Sequence, residues 1–345
     1  MRVLVVNAGS SSLKLSLLDS DDSELWGSEL EAPRALVHAD AVEAALAEVP
    51  AAPDAVGHRI VHGGDRFREP VIIDSQVEAA LEELAVLAPL HQPKSLAAVD
   101  AVGHALPDVP AVGCFDTAFH ATLPPAAATY ALPREWRERY GLRRYGFHGL
   151  SHAYAARAAG DARRVVTCHL GAGASLCAVL GGRSVDTTMG FTPLEGLVMA
   201  TRSGSVDPGL ILWLQQHEGL SVDDMADALE HEAGLLGLAG TADMRELLSR
   251  DDDAARLAVD VYVHRLRAGI GAMAAALDGL DALVFTGGVG ENSSRVRELA
   301  CTGLSHLGIG PPEHRVDVLV VRAREDLEIA RQVRALLGAQ RLEHL

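Results

Sequence analysis

Two arginines lie beside glycines, where a backbone can come close to a ligand. Arg59 sits in G-H-R-I-V-H-G-G (57–64), a short apolar stretch running into a Gly pair, and Arg202 sits in T-R-S-G (201–204). The chain adds loop histidines His91, His148 and His169, a lysine after a Gly/Ser turn, Lys14, and an acid at the end of an apolar run, Asp116. Three Gly-rich turns follow predicted strands, at 7–12, 170–173 and 286–290. Glycine admits close backbone approach, and clustered N–H groups attract anions. Such a set suits phosphoryl transfer, which needs positioning and charge neutralisation more than covalent help. Zinc-ligand spacing, a G-x-x-x-x-G-K-[ST] loop and a G-x-S-x-G elbow are all missing. Each residue also has an ordinary reading: a rim salt bridge for Arg59, a loop histidine facing water for His91, a surface turn at 7–12.

The elements that must position these groups begin with a hairpin. Residues 3–8 form an apolar run, and after the Gly/Ser turn Leu13, Leu15 and Leu17 alternate with Lys14 and Ser16. That pattern predicts a buried strand and a returning neighbour. Residues 164–180 repeat the layout: an arginine, an apolar strand, a polar residue (His169 in place of Asn7), a Gly/Ser turn and a second apolar strand. Two copies predict a duplicated fold whose halves face each other across a cleft, with chance similarity of two Gly turns as the alternative. Helices are predicted over 41–49, 76–88, 95–106, 153–159, 210–217, 222–231, 257–277, 294–300 and from 324 to 337. Strands running into loops or turns are predicted within 57–64, 110–120 and 281–293, and a further strand at 316–322. Residues 20–55 are acidic and Ala-rich, 121–147 show no clear period, 235–240 reads as a loop, and 241–245 opens a further helix.

Composition bounds the function. The chain has 345 residues, a length that suggests about two domains, with 48% hydrophobic and 22% charged residues. Its net charge of −17 argues against general affinity for nucleic acid or anionic membranes. Cys114, Cys168, Cys177 and Cys301 form no C-x-x-C pair and read as reduced thiols of a cytoplasmic protein. The apolar stretch after Met1 and Arg2 is too short for a signal peptide, and no run is long enough to span a membrane.

The chain resembles the acetate kinases, of the superfamily that also holds sugar kinases, actin and the heat-shock chaperone ATPases. The resemblance is carried in order by V-N-A-G-S-S-S-L-K (6–14), G-H-R-I-V-H-G-G (57–64), P-L-H (89–91), F-D-T-A-F-H (115–120), Y-G-F-H-G-L-S-H (145–152), H-L-G-A-G-A-S (169–175), M-G-F-T-P-L-E-G-L (189–197), T-R-S-G (201–204) and F-T-G-G-V-G-E-N-S (285–293). It implies an α/β fold of duplicated ribonuclease H-like (actin-like ATPase) domains, two lobes about a hinged active-site cleft. It places one lobe at 1–119 plus 327–345 and the other at 120–326. It implies ATP and ADP as cosubstrates, Mg²⁺ (or Mn²⁺) as cofactor, and a homodimer.

The resemblance also implies roles. Asn7 and Glu325 match the positions associated with the metal. Lys14, His169, Leu170, Gly171, Ala172, Gly173, Asp243, Met244, Arg245, Gly288, Val289, Gly290, Glu291 and Asn292 match nucleotide contacts, with Ser10 and Ser12 toward phosphate. Arg59 matches the carboxylate-binding arginine and Asp116 the catalytic aspartate. His148 and Arg202 match groups that stabilise the transition state, with His91 nearby. Val61, Leu90, Phe147 and Pro193 match the pocket for the acyl methyl group. Acetate, with a carboxyl pKa of about 4, is already ionised near neutral pH and needs no general base. Asp116 is therefore expected to orient another group rather than to remove a proton.

The chain departs from the family pattern at Ala172, where an Asn is usual, and at Ser205, where an Asp is usual. It is also shorter, mainly between 19 and 57 and between 293 and 324. Three functions compete: an acetate kinase, a kinase preferring propionate or a donor other than ATP, and a nucleotide-gated binding module without transfer.

Overall fold

The computed structural model describes residues 1–9, 12–31, 38–87, 92–310 and 315–343; Ser10, Leu90 and His91 lie outside these ranges. The chain divides into two compact units. The first comprises Met1–Ala121, His148–Tyr154 and Arg324–Leu345, and the second Thr122–Phe147 and Ala155–Ala323. Among the described residues, no helix is long and apolar enough to cross a membrane.

The first unit is built on a six-stranded sheet: β1 (Val3–Ala8), β2 (Ser12–Leu18), β3 (Glu24–Glu31), β4 (Ala55–Ile60), β5 (Val71–Ile72) and β6 (Ala111–Phe115), in the order β3-β2-β1-β4-β6-β5. The leucine alternation of β2 puts Leu13, Leu15 and Leu17 on the face that Leu4, Val6 and Val56 share. That face packs against Val42 and Ala45 of the helix Ala39–Ala47, and Ala98, Ala101 and Val102 of the helix Gln92–Ala105. The opposite face, with Val3, Val5, Ala55 and Cys114, takes Ile329, Ala330 and Val333 of the C-terminal helix Glu325–Glu343. Each fully buried Leu or Ile contributes about 1.5–3 kcal/mol by leaving water. A Cβ on Gly57 would meet Ile329 at 2.5 Å, so glycine lets this helix lie close on β4.

The second unit carries β7 (Arg164–Leu170), β8 (Ala174–Leu180), β9 (Arg183–Thr187), β10 (Ala282–Thr286) and β11 (Asp317–Val320), ordered β11-β10-β7-β8-β9. The helix Asp253–Ala276 packs on this sheet and buries Ala258, Tyr262, Leu266, Ile270 and Met273. Its Gly269 approaches Leu176 of β8 so closely that a Cβ would fall 2.6 Å away.

The two sheets repeat one plan. β3-β2-β1-β4-β6 and β9-β8-β7-β10-β11 have the same order, with an antiparallel hairpin followed by parallel strands. This is the duplicated ribonuclease H-like α/β fold, and the hairpin pair at 3–18 and 164–180 is its sequence trace.

Several elements differ from expectation. Residues 24–31 form an edge strand in which Trp26, Ser28 and Leu30 turn inward between exposed glutamates. The segment 121–147 holds two short helices, Pro125–Ala128 and Arg134–Tyr140. Residues 234–239 are helical rather than a loop, ended by Gly240 at φ 74°. The helices after 208 and 222 each end in a wider π turn, at Leu214–Glu218 and Ala228–Glu232.

Candidate active site

In the first unit, four side chains from distant parts of the chain meet at the strand ends. Arg59 leaves β4, and its Nε donates to both oxygens of Asp116 at 3.2 Å while Nη2 donates to Oδ2 at 2.6 Å. Arg59 Nη1 donates to Asn7 Oδ1 at 3.1 Å and lies 3.7 Å from Glu325 Oε2. Asn7 Nδ2 closes the ring by donating to Glu325 Oε2 at 2.9 Å. Asn7 sits at the end of β1 and Asp116 just after β6. Glu325 opens the C-terminal helix, whose first turn also holds Asp326 and Glu328.

Burial sets the electrostatics of this cluster. Asp116 is 1% exposed, which pushes its carboxyl up, and the guanidinium beside it pulls it back. Burial also works against the charge of Arg59, but Asp116 and Glu325 outweigh it, so the guanidinium is held more firmly protonated than usual. The geometry is that of a charged pair, with hydrogen bonds satisfying both carboxylate oxygens.

Asp116 is fixed by its backbone as well. Its carbonyl accepts from Gly149 N at 3.0 Å and its N–H donates to Ile60 O at 3.0 Å. A Cβ on Gly149 would lie 2.1 Å from that carbonyl, so only glycine fits there. His148, just before it, has φ 56°, a left-handed conformation unusual for a residue with a side chain. The ring of His152 lies 6.5 Å from that of His148 and 5.7 Å from that of His120. His120 and His152 are fully buried beneath it.

Asn7 and Glu325 offer an amide oxygen and a carboxylate. Such hard oxygen donors suit Mg²⁺, which keeps several waters and takes few protein ligands. Among the described residues, no group of three or more His, Cys, Asp or Glu side chains could hold a metal.

Lys14 and Ser12 lie elsewhere on the same hairpin. Both face β3, where Ser12 Oγ donates to Glu29 Oε1 at 2.6 Å and Lys14 Nζ lies 3.8 Å from it. Glu29 lies on β3, a strand whose glutamates leave little strand signal in the sequence. Val61 is buried just past β4.

In the second unit, the turn 170–173 follows β7. Gly171 N donates to Gly173 O at 2.9 Å, and Ala172 is exposed. The Leu170 side chain is wholly buried, so only its backbone is available to a ligand. The neighbouring Gly-rich segment after β10 is a short helix, Gly287–Asn292, rather than an open turn. Gly287 at φ 79° lets it start against Leu170, where a Cβ would meet the Leu170 carbonyl at 2.8 Å. Glu291 Oε1 accepts from Gly287 N and Ala323 N, and Asn292 Nδ2 donates to Gly288 O at 2.8 Å. Gly288 has open space around it. Asp243 caps the helix Met244–Ser249 and pairs with exposed Arg245 at 2.7 Å, and that hydrogen bond brings its carboxyl down to about 2. Met244 is buried.

Arg202 stands on a loop tied to the turn at 170–173. Ala200 N donates to Ala172 O at 3.0 Å and Met199 N to Arg202 O at 3.1 Å. Arg202 Nη1 donates to the Pro193 carbonyl at 3.2 Å. Burial pushes its guanidinium below the ordinary value. Ser205, the departure from the family pattern, accepts from Gly196 N at 3.1 Å through its hydroxyl, and its own N–H donates to Gly196 O. Phe147 is buried in this unit.

These residues can be set beside known proteins. Residues 34–325 match the model of the acetokinase family. The chain belongs to the acetokinase family. It is 45% identical to an acetate kinase of Leifsonia xyli subsp. xyli, over 98% of this chain and 99% of that protein. Its structure is similar to that of acetate kinase from Porphyromonas gingivalis, with TM-score 0.88 and 37% identity, covering 97% and 99% of the two chains. It is also similar to a propionate kinase from Francisella tularensis subsp. tularensis SCHU S4, with TM-score 0.87 and 32% identity, covering 96% and 98%.

Proposed function

We propose that this chain is an acetate kinase, transferring the ATP γ-phosphoryl group reversibly and in line to acetate, to give acetyl phosphate and ADP. The observation that carries the reading is Arg59, held by Asp116 and adjoining Asn7 and Glu325, in a chain of this family. A binding module that only senses nucleotide has no use for an arginine that binds a small carboxylate, the role family resemblance gives Arg59.

The residues take the following work. Arg59 binds the acetate carboxylate, and Asp116 keeps the guanidinium in place. Acetate is ionised at neutral pH, so its oxygen attacks without a proton acceptor. Arg202 and His148 stabilise charge on the transferring phosphoryl group, as an arginine finger does. Val61, Leu90, Phe147 and Pro193 are assigned to the water-excluding pocket of the methyl group, and His91 to the vicinity of His148 and Arg202, by family resemblance alone. Backbone N–H groups of 169–173 and of 288–292 hold the nucleotide, with Asp243, Met244 and Arg245 beside it and Ser10, Ser12 and Lys14 toward phosphate. Asn7 and Glu325 would hold Mg²⁺, which neutralises phosphate charge when bound.

Propionate is the second reading, favoured by the likeness to a propionate kinase. One methylene is worth only about 1–3 kcal/mol in a pocket, so some overlap between the two acids is expected. The test is trapping of acyl phosphate as hydroxamate with acetate, propionate or butyrate, each with ATP, GTP or pyrophosphate. Acetate with ATP should give the highest kcat/KM; hydroxamate from no acid would overturn the proposal.

We also infer a homodimer and a cytoplasmic location. Leu210, Leu212 and Trp213 on the helix Pro208–Trp213, and Val222 on the next helix, Val222–Asp227, are exposed apolar side chains suited to a second copy. Trp213→Glu should convert a dimer to a monomer in analytical ultracentrifugation, and a monomeric wild type would remove the idea. The four cysteines are free, which suits a reducing compartment.

A further inference from the structure

In the second unit, residues 188–196 close around one carboxylate. Glu195 Oε2 accepts from Tyr130 Oη at 2.6 Å, and Glu195 Oε1 accepts from Arg144 Nη2 at 2.8 Å. Tyr130 Oη in turn accepts from Phe191 N at 2.9 Å. Arg144 Nη1 donates to the carbonyls of Thr188 and Met189, at 3.1 and 2.9 Å, and its guanidinium lies 5.5 Å from the Tyr130 ring centre. The Gly190 carbonyl accepts from Tyr145 N and Gly146 N. A Cβ on Gly190 would fall 1.8 Å from Glu195 Oε2 and 2.2 Å from Tyr130 Oη, so the clamp closes with no space for a side chain there.

The segment so held carries the carbonyl of Pro193, which accepts from Arg202 Nη1 at 3.2 Å. Its last glycine, Gly196, is tied to Ser205 by two further hydrogen bonds. The loop bearing Arg202 is thus anchored to a segment whose shape depends on Tyr130, Arg144 and Glu195. Burial, followed by the bond to Glu195, pushes the Tyr130 phenol above its ordinary range, so it remains a donor.

We infer that Glu195 is a positioning residue: bridged between Tyr130 and Arg144, its carboxylate fixes segment 188–196 and, through the Pro193 carbonyl, directs the Arg202 guanidinium. The inference rests on the proposed role of Arg202. The carboxylate takes one neutral and one cationic donor at once, a pairing that an amide reproduces only in part.

The test compares Tyr130→Phe, Glu195→Gln and Glu195→Ala with the wild type by two readouts. Amide hydrogen exchange should speed up about tenfold across 188–205 in Tyr130→Phe, the scale of one lost hydrogen bond to a charged group, while β7 and β8 stay unchanged. In steady state with acetate and ATP, kcat should fall about tenfold and KM for acetate rise, with KM for ATP unchanged, and Glu195→Gln should be milder than Glu195→Ala. Exchange that is unchanged, or faster throughout the unit, overturns the inference. So does faster exchange confined to 188–205 with kcat and both KM values unaltered. If the wild type forms no acyl phosphate, the proposed function falls, and the exchange comparison alone decides whether the clamp holds the segment.

Discussion

Arg59 donates through Nε and Nη2 to the carboxylate of Asp116, with a closest approach of 2.6 Å, and the acid is 1% exposed. Under the proposed function, an acid so engaged orients the arginine that binds acetate. Asp116→Asn should lower kcat/KM for acetate about a hundredfold, the scale for removing one charge of a buried pair. The loss should be the same from about pH 6 to about pH 9, because no proton transfer is removed. A loss that appears on only one side of a titration would make Asp116 a base instead.

Gly149 fixes the same aspartate from behind. A Cβ there meets the Asp116 carbonyl, a backbone atom, at 2.1 Å. Gly149→Ala should therefore cost about 1–3 kcal/mol of stability, typical of overpacking, and lower kcat as well. Urea unfolding with parallel kinetics checks this, and an unchanged midpoint would contradict it.

The metal assignment is separable from the carboxylate assignment. Glu325→Gln should raise the Mg²⁺ concentration for half-maximal activity by at least about tenfold, since changes outside the ligand sphere already cost that much. KM for acetate should change less, because Glu325 lies 3.7 Å from Arg59 whereas Asp116 holds it directly. A Mg²⁺ titration at fixed ATP reads both effects. Equal Mg²⁺ requirements in variant and wild type would remove Glu325 from the metal site.

His58 gives the protein a pH dependence unrelated to catalysis. It is 2% exposed, neither ring nitrogen has a partner among the described residues, and burial lowers its pKa to about 3. The unfolded chain takes up a proton near pH 6.5 and the folded chain does not. Stability is therefore full above that pH and is lost as pH falls toward 3. Between about pH 7 and about pH 5 the loss from this one residue should be about 2 kcal/mol. His58→Leu should flatten that part of the profile in urea unfolding; an identical slope in the variant would contradict it.

The hairpin repeat was legible because strand alternation and glycine turns are local signals, and both copies became the corresponding second and third strands of two like-ordered sheets. The strand Glu24–Glu31 was not, since glutamates are poor strand formers and its inward face is only Trp26, Ser28 and Leu30. The meeting of Asn7, Arg59, Asp116 and Glu325 was legible only through family resemblance. Residues up to 318 positions apart come together by tertiary packing, which leaves no periodic trace in the chain. Tyr130 and Arg144 escaped notice for a related reason: they lie in the aperiodic stretch 121–147, and their work is to hold another segment. Glu195 stood within a quoted motif, but its partners are 65 and 51 residues away.

The most direct test of the central claim is phosphorus NMR of the wild-type protein with ATP, Mg²⁺ and acetate. The account predicts acetyl phosphate and ADP appearing in equal amounts, and no acetyl phosphate from Arg202→Ala at the same concentration. Release of inorganic phosphate from ATP without any acetyl phosphate signal would contradict it.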